Sequence, residues 1–368
     1  MKKNRNVLVA MSGGIDSSVA AFLLQKMGYN IEGIYFQLID ENEIEVPRKD
    51  TKGQVRSGLN NQTDSNLAKV IANKLKIHFQ VIDYRKEFEK IVINNFIKKY
   101  RLGMTPNPCI VCNEKIKFKL LSYYAKKMNI HFISTGHYAR IEKDSSRNIQ
   151  ILKRGLDIRK EQSYFLYRLD QEILSKTIFP LGNLTKKAVE KMAEDNGLKQ
   201  FHMRESQEIC FVNHNNYRQL IESRAAEEDE KGYFVDKSGN ILGRHKGIAF
   251  YTIGQRRKIG LSFNNRKYIV KINQKDNNIT IGDEEDLYRR ECILSDICYI
   301  FNEYITTPTK LKIQIRYNAM PVNGTLFPLK QDRLKIVFDK PQRAVTPGQS
   351  AVFYMNNSVL GGGIISRF

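Results

Sequence analysis

The feature that most constrains this chain is Ser12-Gly13-Gly14-Ile15-Asp16-Ser17. It follows Asn6–Met11 (NVLVAM), a buried-strand pattern, and leads into Ser17–Met27, which reads as a helix stopped by Gly28. Two glycines let the backbone turn tightly, so that successive N–H groups point into one concavity. The helix N-terminus behind them adds its dipole, and Ser12, Ser17 and Ser18 add hydroxyls. Such a cradle suits a pyrophosphate. It is not a Walker A loop, because no Gly-Lys-Ser/Thr follows and the loop has no lysine to reach a terminal phosphate. A pair of glycines alone would mean only a helix cap after a tight turn. The whole strand–SGGxDS–helix unit is what points to a nucleotide.

Around this loop the first two hundred residues alternate strand-like and helix-like segments. Ile31–Leu38, Phe79–Ile82 and Phe132–Thr135 read as strands. Asp64–Leu75, Tyr84–Tyr100 and a basic stretch from about Ile116 to Met128 read as helices. That alternation predicts an α/β, doubly wound parallel sheet with helices on both faces. Ligands of such sheets bind at the carboxyl ends of the strands, where Ser12, Cys109 and Gly136 fall. Residues 40–63 are polar and unpatterned and read as a long mobile loop.

From about Gly232 the pattern changes. Tyr233–Asp236 and Asn240–Gly243 flank Lys237-Ser238-Gly239, a hairpin signal. After residue 267 the segments KYIVKI, NITIG, LKIQIRY, RLKIVF and SAVFYM are strand-like and separated by Asn, Asp, Pro and Gly turns. They predict a C-terminal antiparallel β-barrel or sandwich of roughly eighty residues. A small mixed segment with a helix near Tyr217–Ala226 precedes it. The expected division is 1–206, a small mixed central domain over 207–281, and a barrel over 282–368. There is no internal repeat and no low-complexity tract.

With 60 Lys+Arg against 39 Asp+Glu in 368 residues, the formal net charge is +21. An excess of that size hinders compaction unless a polyanion or salt screens it, which favours a nucleic acid or nucleotide partner over compositional drift. Hydrophobic residues make up 41% of the chain, which excludes wholesale disorder. No apolar run reaches the ~18 residues needed to span a bilayer. The apolar stretch at the N-terminus is broken by Gly13, Gly14 and Asp16 too early for a signal peptide. A soluble, cytoplasmic protein without membrane contact is expected.

The cysteines are Cys109, Cys112, Cys210, Cys292 and Cys298. An odd number, with one CxxC, argues for thiol chemistry or metal binding over a disulfide framework. In Thr105-Pro106-Asn107-Pro108-Cys109-Ile110-Val111-Cys112-Asn113 the prolines stiffen the loop. A helix beginning after Cys112, with Lys115, Lys117 and Lys119, would lower a nearby thiol's pKa. The competing reading is a zinc half-site at Cys109 and Cys112, but Cys292 and Cys298 are spaced too widely for a second half and the histidines form no spaced pair. Cys210, between Ile209 and Phe211, reads locally as a buried apolar thiol. Cys292 and Cys298 lie on strand patterns and read as core.

The loop resembles that of the N-type ATP pyrophosphatases. With its surroundings the chain closely resembles the bacterial tRNA-specific 2-thiouridylases. The motifs that carry this are AMSGGIDSS, TPNPCIVCN, STGHYAR (134–140), KEQSYFLYRL (160–169), SQEICFV (206–212), HKGIAFYTIGQRRKIG (245–260), IRY (315–317) and AVTPGQSAVFY (344–354), so the likeness covers almost the whole chain. The resemblance implies an adenylating ATP pyrophosphatase domain followed by a central domain and a tRNA-contacting barrel. It implies ATP at Ala10, Met11, Ser12, Gly13, Gly14, Ile15, Asp16 and Ser17, with Phe36 and Gly136, and Mg²⁺ to offset phosphate charge. It places a nucleophile at Cys112 and a persulfide carrier at Cys210, which revises the local reading of that cysteine. Contact with the target base is implied at Asn107, Pro108 and Cys109, and contact with tRNA at Lys160, Glu161, Gln162, Arg316 and Tyr317. Some family members carry Asp where this chain has Cys109, and glycine is common where it has Ala10.

The implied reaction is two-stage. The wobble uridine's C2 oxygen attacks the α-phosphate of ATP, releasing pyrophosphate, and sulfur from a Cys210 persulfide then displaces AMP. A cysteine desulfurase or relay protein would load Cys210, and a Cys112–Cys210 disulfide would remain. A target base must leave its stack, while the basic surface holds the anticodon arm through its phosphates. The basic helix and Gln255-Arg256-Arg257-Lys258 are candidate tRNA contacts or ordinary solvated surface, and Tyr164, Phe165 and Tyr167 stack on bases or fill the core. Two rivals stay open. An amidotransferase-type synthetase would share the loop without needing Cys112 and Cys210, and a non-catalytic RNA-binding protein would need no pyrophosphatase loop.

Overall fold

The structure, a computed structural model, describes residues 5–40, 48–49, 55–56, 64–198, 209–212, 216–224, 230–301 and 304–366. The chain divides into two compact units: Met1–Ile91 with Cys109–Asn215 and Asn357–Val359, and Val92–Pro108 with Asn216–Asn356 and Leu360–Phe368.

The first unit is built on β1 (Asn6–Ala10), α1 (Ile15–Lys26) and β2 (Asn30–Gln37). Of the predicted loop over 40–63, β3 (Arg48–Lys49) and β4 (Val55–Arg56) pair antiparallel, and apart from Asp40 the rest lies outside the described residues. The unit continues through α2 (Asp64–Lys74), β5 (His78–Asp83) and α3 (Arg85–Phe88). A π-helical turn over Glu89–Ile93 joins α3 to α4 (Asn94–Arg101), which belongs to the second unit, so the predicted helix 84–100 is one helical run in three pieces. Next come α5 (Pro108–Cys112), a second π-helical turn over Asn113–Lys117, α6 (Phe118–Lys127) and β6 (Phe132–Ser134). A hairpin of β7 (Ala139–Asp144) and β8 (Ile149–Arg154), α7 (Gln171–Lys176), β9 (Thr177–Ile178) and α8 (Lys186–Asp195) complete the unit.

Its sheet has the order β5-β2-β1-β6-β9, and every pairing is parallel. Val7, Leu8 and Val9 of β1 have no exposed surface, as a central parallel strand covered on both faces requires. Chain order runs outward from β1 in both directions. The strand direction of winding therefore switches there, and the crevice beyond the carboxyl end of β1 is where such a sheet receives a ligand. Met11 and the SGGIDS segment occupy that end.

The second unit contains α9 (Tyr217–Glu222) and two sheets. One has β11 (Ile241–His245), β10 (Gly232–Val235), β13 (Asn278–Gly282) and β12 (Tyr268–Asn273) in that order. The predicted hairpin is β10–β11, with Asp236 accepting the N–H groups of Ser238 and Asn240 in its turn. The other sheet runs β14 (Tyr288–Tyr299), β17 (Arg333–Arg343), β16 (Val322–Leu329), β15 (Thr309–Gln314), β18 (Ser350–Met355) and β19 (Ser358–Ile365), and β14 pairs back onto β19. This is a closed six-stranded antiparallel barrel, as expected. KYIVKI and NITIG belong to the four-stranded sheet instead, as β12 and β13.

Inward-facing residues of the barrel form one core: Cys292, Leu294, Leu311, Ile313, Leu326, Ile336, Phe338 and Phe353. Cys292 is thus a core thiol, and Cys298 is half-buried on the same strand. Phe338 has no exposed surface, so Phe338→Ala leaves a cavity in a barrel too constrained to collapse onto it. A loss of about 3–5 kcal/mol is expected, read as a lowered urea midpoint for the barrel's near-UV signal.

Candidate active site

Gly13 turns the chain out of β1 at φ +75°, a left-handed conformation in which a Cβ would lie 2.5 Å from the Asp64 carbonyl oxygen. Gly14 then caps α1 without a side-chain hydrogen bond of its own. The serines lock the turn: Ser12 N–H donates to Ser17 Oγ at 3.1 Å, and Ser17 and Ser18 hydroxyls donate to the Gly14 carbonyl at 3.0 and 2.8 Å. Met11 N–H donates to Ile34 O at 2.9 Å, so the loop starts from a fixed point on β2. Ala10 closes β1, and Ile15 opens α1. Helix α1 begins at Ile15, two residues earlier than predicted, which puts Asp16 in its first turn.

Asp16 Oδ1 accepts two hydrogen bonds that the sequence did not announce, from Tyr138 Oη and from Lys186 Nζ, each at 2.7 Å. The loop has no lysine of its own, but the fold brings one from the start of α8. Nothing local marks Lys186 beyond its place after the α8 cap Thr185. Gly136 lies against the same turn, and a Cβ there would come within 2.8 Å of Asp16 C and Ser17 N. Ser134, at the carboxyl end of β6, is fully buried, and its hydroxyl has no hydrogen-bond partner among the described residues. Phe36, near the end of β2, is half-buried, with its ring centroid 6.1 Å from that of Tyr124.

The second centre is made of thiols. Cys109, Cys112 and Cys210 lie close enough for their charges to interact, with Lys117 in the same neighbourhood. Cys210 sits in a turn closed by Val212 N–H to Ile209 O at 3.0 Å, with Phe211 packed edge-on against Phe88. Residues 206–208 of the SQEICFV motif lie outside the described residues. Solvent reaches Cys210, while Cys109 and Cys112 are half-buried. A sulfur can touch water on one side and be ringed by protein on the others, and for acidity the ring decides.

Burial pushes the Cys109 thiol up to about 11 and that of Cys210 up to about 12; neighbouring thiolates add to the rise and Lys117 opposes it. Cys112 is raised by burial as well, again against Lys117. The expected lowering is therefore not found. The helix starts at Pro108 and not after Cys112, so Cys112 ends a first turn instead of facing an N-terminus. Of the three lysines only Lys117 acts on the thiols, since Lys115 and Lys119 face solvent. Desolvation outweighs one partly screened charge.

The two centres are tied by residues 135–138. Gly136 and Tyr138 touch the SGGIDS turn. His137, between them, hydrogen-bonds Thr135 Oγ1 at 2.7 Å and packs its ring 5.8 Å from Phe118, the residue after Lys117. Burial, with Lys117 adding to it, lowers the His137 pKa well below its usual value, so its ring is neutral. Among the described residues no group of three or more His, Cys, Asp or Glu is arranged to hold a metal ion.

The expected tRNA contacts differ in availability. Asn107 and Pro108 belong to the second unit, with Pro108 opening α5. Lys160 and Gln162 are half-buried, and the Gln162 side chain accepts from Tyr138 N–H at 3.0 Å. Glu161 is turned inward: it is 4% exposed, pairs with Arg154 at 3.2 Å and accepts from Ser163 N–H. Tyr164 and Tyr167 have no exposed surface and are core residues, not stacking platforms. Arg316 donates to the Arg343 carbonyl, and the Tyr317 carbonyl accepts from Gln314 at 2.8 Å. Arg256, Arg257 and Lys258 are exposed. Among the described residues no helix is long and apolar enough to cross a membrane.

Residues 5–214 match the family described as tRNA methyl transferase HUP domain. Residues 219–283 match its PRC-barrel domain, and residues 289–365 match the aminomethyltransferase beta-barrel domain. The chain is 40% identical over 367 residues to a tRNA-specific 2-thiouridylase MnmA of Clostridioides difficile, covering 100% of this chain and 99% of that one. It is 42% identical over 361 residues to the protein of that name from Acetivibrio thermocellus, covering 98% and 99%. Against the one from Desulforamulus reducens it is 41% identical over 367 residues, covering 100% and 98%.

Two outcomes follow from the geometry. Below its pKa a raised thiol is neutral, so alkylation by iodoacetamide at Cys109 and Cys210 should climb about tenfold per pH unit from pH 7 to 10. A plateau below pH 8, read by peptide mass spectrometry, would contradict the burial argument. Gly136→Ala forces its Cβ against backbone, so it should weaken ATP binding at least about tenfold in calorimetry while leaving the barrel's unfolding unchanged.

Proposed function

Because the chain belongs to the tRNA-specific 2-thiouridylase family, we propose that it adenylates the wobble uridine of tRNA and replaces its C2 oxygen with sulfur carried on Cys210. Members of this family are enzymes, tRNA sulfurtransferases that make 2-thiouridine, and their nucleotide-binding domain points to use of ATP. The observation that carries the proposed adenylation and sulfur transfer is the grouping of Cys109, Cys112 and Cys210 in one electrostatic neighbourhood, joined to the SGGIDS loop through residues 135–138.

ATP binds with its phosphates on the turn Ala10–Ser17 and its base toward Phe36. Among the described residues no carboxylate cluster could hold Mg²⁺ by itself, so the ion would be held mainly by phosphate oxygens, with Asp16 the nearest carboxylate. Magnesium, when bound, offsets phosphate charge. The chain's own groups do the rest. N–H donors of the α1 turn orient the α-phosphate, the uridine C2 oxygen attacks it, and pyrophosphate leaves with the bridging electron pair. Adenylation turns a poor leaving oxygen into AMP.

Sulfur comes from a persulfide on Cys210, which solvent reaches and which a cysteine desulfurase or relay protein can therefore load. The outer sulfur attacks C2, AMP departs, and Cys112 attacks Cys210 Sγ to release thiolated base and leave a Cys112–Cys210 disulfide. Alternatively, Cys112 attacks the persulfide first and frees sulfide, which displaces AMP. Both routes close the same disulfide, which a cellular reductant reopens. Cys109 stands where some relatives carry Asp, so this chain has no carboxylate acid or base at that position. This reading assigns adenylation to residues 1–206, with 207–281 a central domain and 282–368 a barrel that meets tRNA at Arg316 and Tyr317. Anticodon-arm phosphates would lie along the basic surface, in the cytoplasm.

The test is nucleoside mass spectrometry on unmodified tRNA incubated with the protein, Mg-ATP, cysteine and a desulfurase. ATP-dependent gain of 2-thiouridine at the wobble position is expected. Cys112→Ser and Cys210→Ser should each abolish that gain, by at least about a hundredfold, without changing tRNA retention on filters. Thiolation surviving in either variant would remove the two-cysteine mechanism. AMP formation without either cysteine or tRNA would favour an amidotransferase-type synthetase.

A further inference from the structure

We propose that Arg168 is a positioning residue for the thiol centre: its ion pair with Glu114 holds the π-helical turn that follows Cys112 and so fixes Lys117 relative to the cysteines. The inference rests on the reading of that centre given above. The turn covers Asn113–Lys117, with Cys112 directly before it and Lys117 at its end. Such a turn carries one residue more than an α-helical turn, so side-chain contacts have to hold the extra residue in place. Relaxation of these residues to an α-helix would rotate Cys112 against Lys117 by roughly a quarter of a turn.

Two contacts anchor the start of the turn, and both reach the same segment. Asn113 is 3% exposed and donates from Nδ2 to the Phe165 carbonyl at 3.3 Å. Glu114 Oε2 lies 2.9 Å from Arg168 Nε, with the two side chains 22% and 15% exposed. The segment they meet is itself held firmly. Ser163–Phe165 forms a 3₁₀ turn, with Phe165 N–H donating to Gln162 O at 3.0 Å and Leu166 N–H to Ser163 O at 2.9 Å. Tyr164, Leu166 and Tyr167 have no exposed surface, and the Arg168 guanidinium lies 5.8 Å from the centroid of the Tyr167 ring. Arg168 thus stands on a fixed base and grips the second residue of the π-helical turn. Lys117, at the far end of that turn, favours the thiolate of each of the three cysteines. Its place depends on the register that the Glu114 pair sets.

The competing accounts are a pair that only stabilises the fold and a pair that acts on the thiols through its charges. The measurement is the rate of iodoacetamide alkylation at Cys112 in the full chain near pH 8, read by peptide mass spectrometry. Arg168→Gln and Glu114→Gln should each slow it about threefold or more, because a displaced Lys117 leaves less thiolate at Cys112. The two effects share a sign although one variant removes a cation and the other an anion, which a direct charge effect cannot give. The double variant should be no slower than either single one, and Arg168→Gln should add no slowing to Lys117→Gln. Arg168→Lys, which keeps the charge, should lose less than Arg168→Gln. Thermal melts confirm that each variant folds, and Glu114→Gln carries the test if Arg168→Gln does not fold. Unchanged or faster alkylation in a folded Arg168→Gln or Glu114→Gln overturns the inference. So do additive losses in the double variant, or further slowing on the Lys117→Gln background. In the thiolation assay the same variants should lower kcat and leave KM for tRNA and ATP unchanged, and a raised KM at unchanged kcat also overturns the inference. If the alkylation results hold while the wild type never thiolates tRNA, the functional reading fails and the inference stands. If the wild type thiolates while Arg168→Gln is alkylated as the wild type is, the inference alone fails.

Discussion

The close approach of Gly136 to the backbone of Asp16 and Ser17 is the contact on which the site depends. A Cβ at Gly136 would come within 2.8 Å of main-chain atoms, which cannot swing aside as a side-chain tip can. Because that one residue has no side chain, the strand end after β6 can lie against the first turn of α1. Everything after it inherits the registration. Tyr138 reaches Asp16 with its hydroxyl, and the main chain at Tyr138 is clamped to Gln162 in both directions, N–H to Gln162 Oε1 and C=O from Gln162 N–H. His137, one residue from each, packs against the Phe118 ring on the helix that carries the thiols. A single tight approach thereby ties the SGGIDS turn to the cysteine cluster within one unit.

Burial decides the electrostatics of that chemistry. A helix terminus and a lysine each favour a thiolate, but a desolvated sulfur loses more than one lysine returns. Cys109, Cys112 and Cys210 are held as neutral thiols at physiological pH, and each would-be thiolate makes its neighbours harder to ionise. Such a cluster is quiet until something changes the charge. For the proposed chemistry this is useful: idle thiols resist adventitious oxidation, and reaction starts only when sulfur is loaded or a substrate excludes water. The π-helical turn Asn113–Lys117 takes part in this arrangement. It widens the helix by one residue between Cys112 and Phe118, at the point where Lys117 meets both the thiols and His137.

The sheet and the barrel were legible because their residues repeat a simple rule. Val7, Leu8 and Val9 form an apolar run that only a strand buried on both faces can use, RLKIVF alternates between buried and more exposed positions, and SAVFYM is apolar enough to be buried over nearly its whole length. The hairpin β7–β8 went unread because ARIEKD and IQILKR carry charges on a half-exposed surface, where alternation is weak. Strands β16 and β19 were missed for a related reason. VNGTLFPL and SVLGGGII contain the glycines and proline that otherwise signal turns, and closure of the barrel overrides that local preference.

The sequence by itself determined the kind of chemistry: a glycine turn between strand and helix, a stiffened CxxC, a third thiol downstream and a strongly basic surface, read through motifs whose residue types follow from what they must do. Tertiary structure alone decided the rest. That Lys186 reaches from α8 to Asp16, that Glu161 turns inward to Arg154 and that Tyr164 and Tyr167 are core all depend on how the chain packs in three dimensions. The acidity of the cysteines does too. Desolvation is a property of everything that surrounds an atom, and no local pattern of residues records what the fold will pack around it.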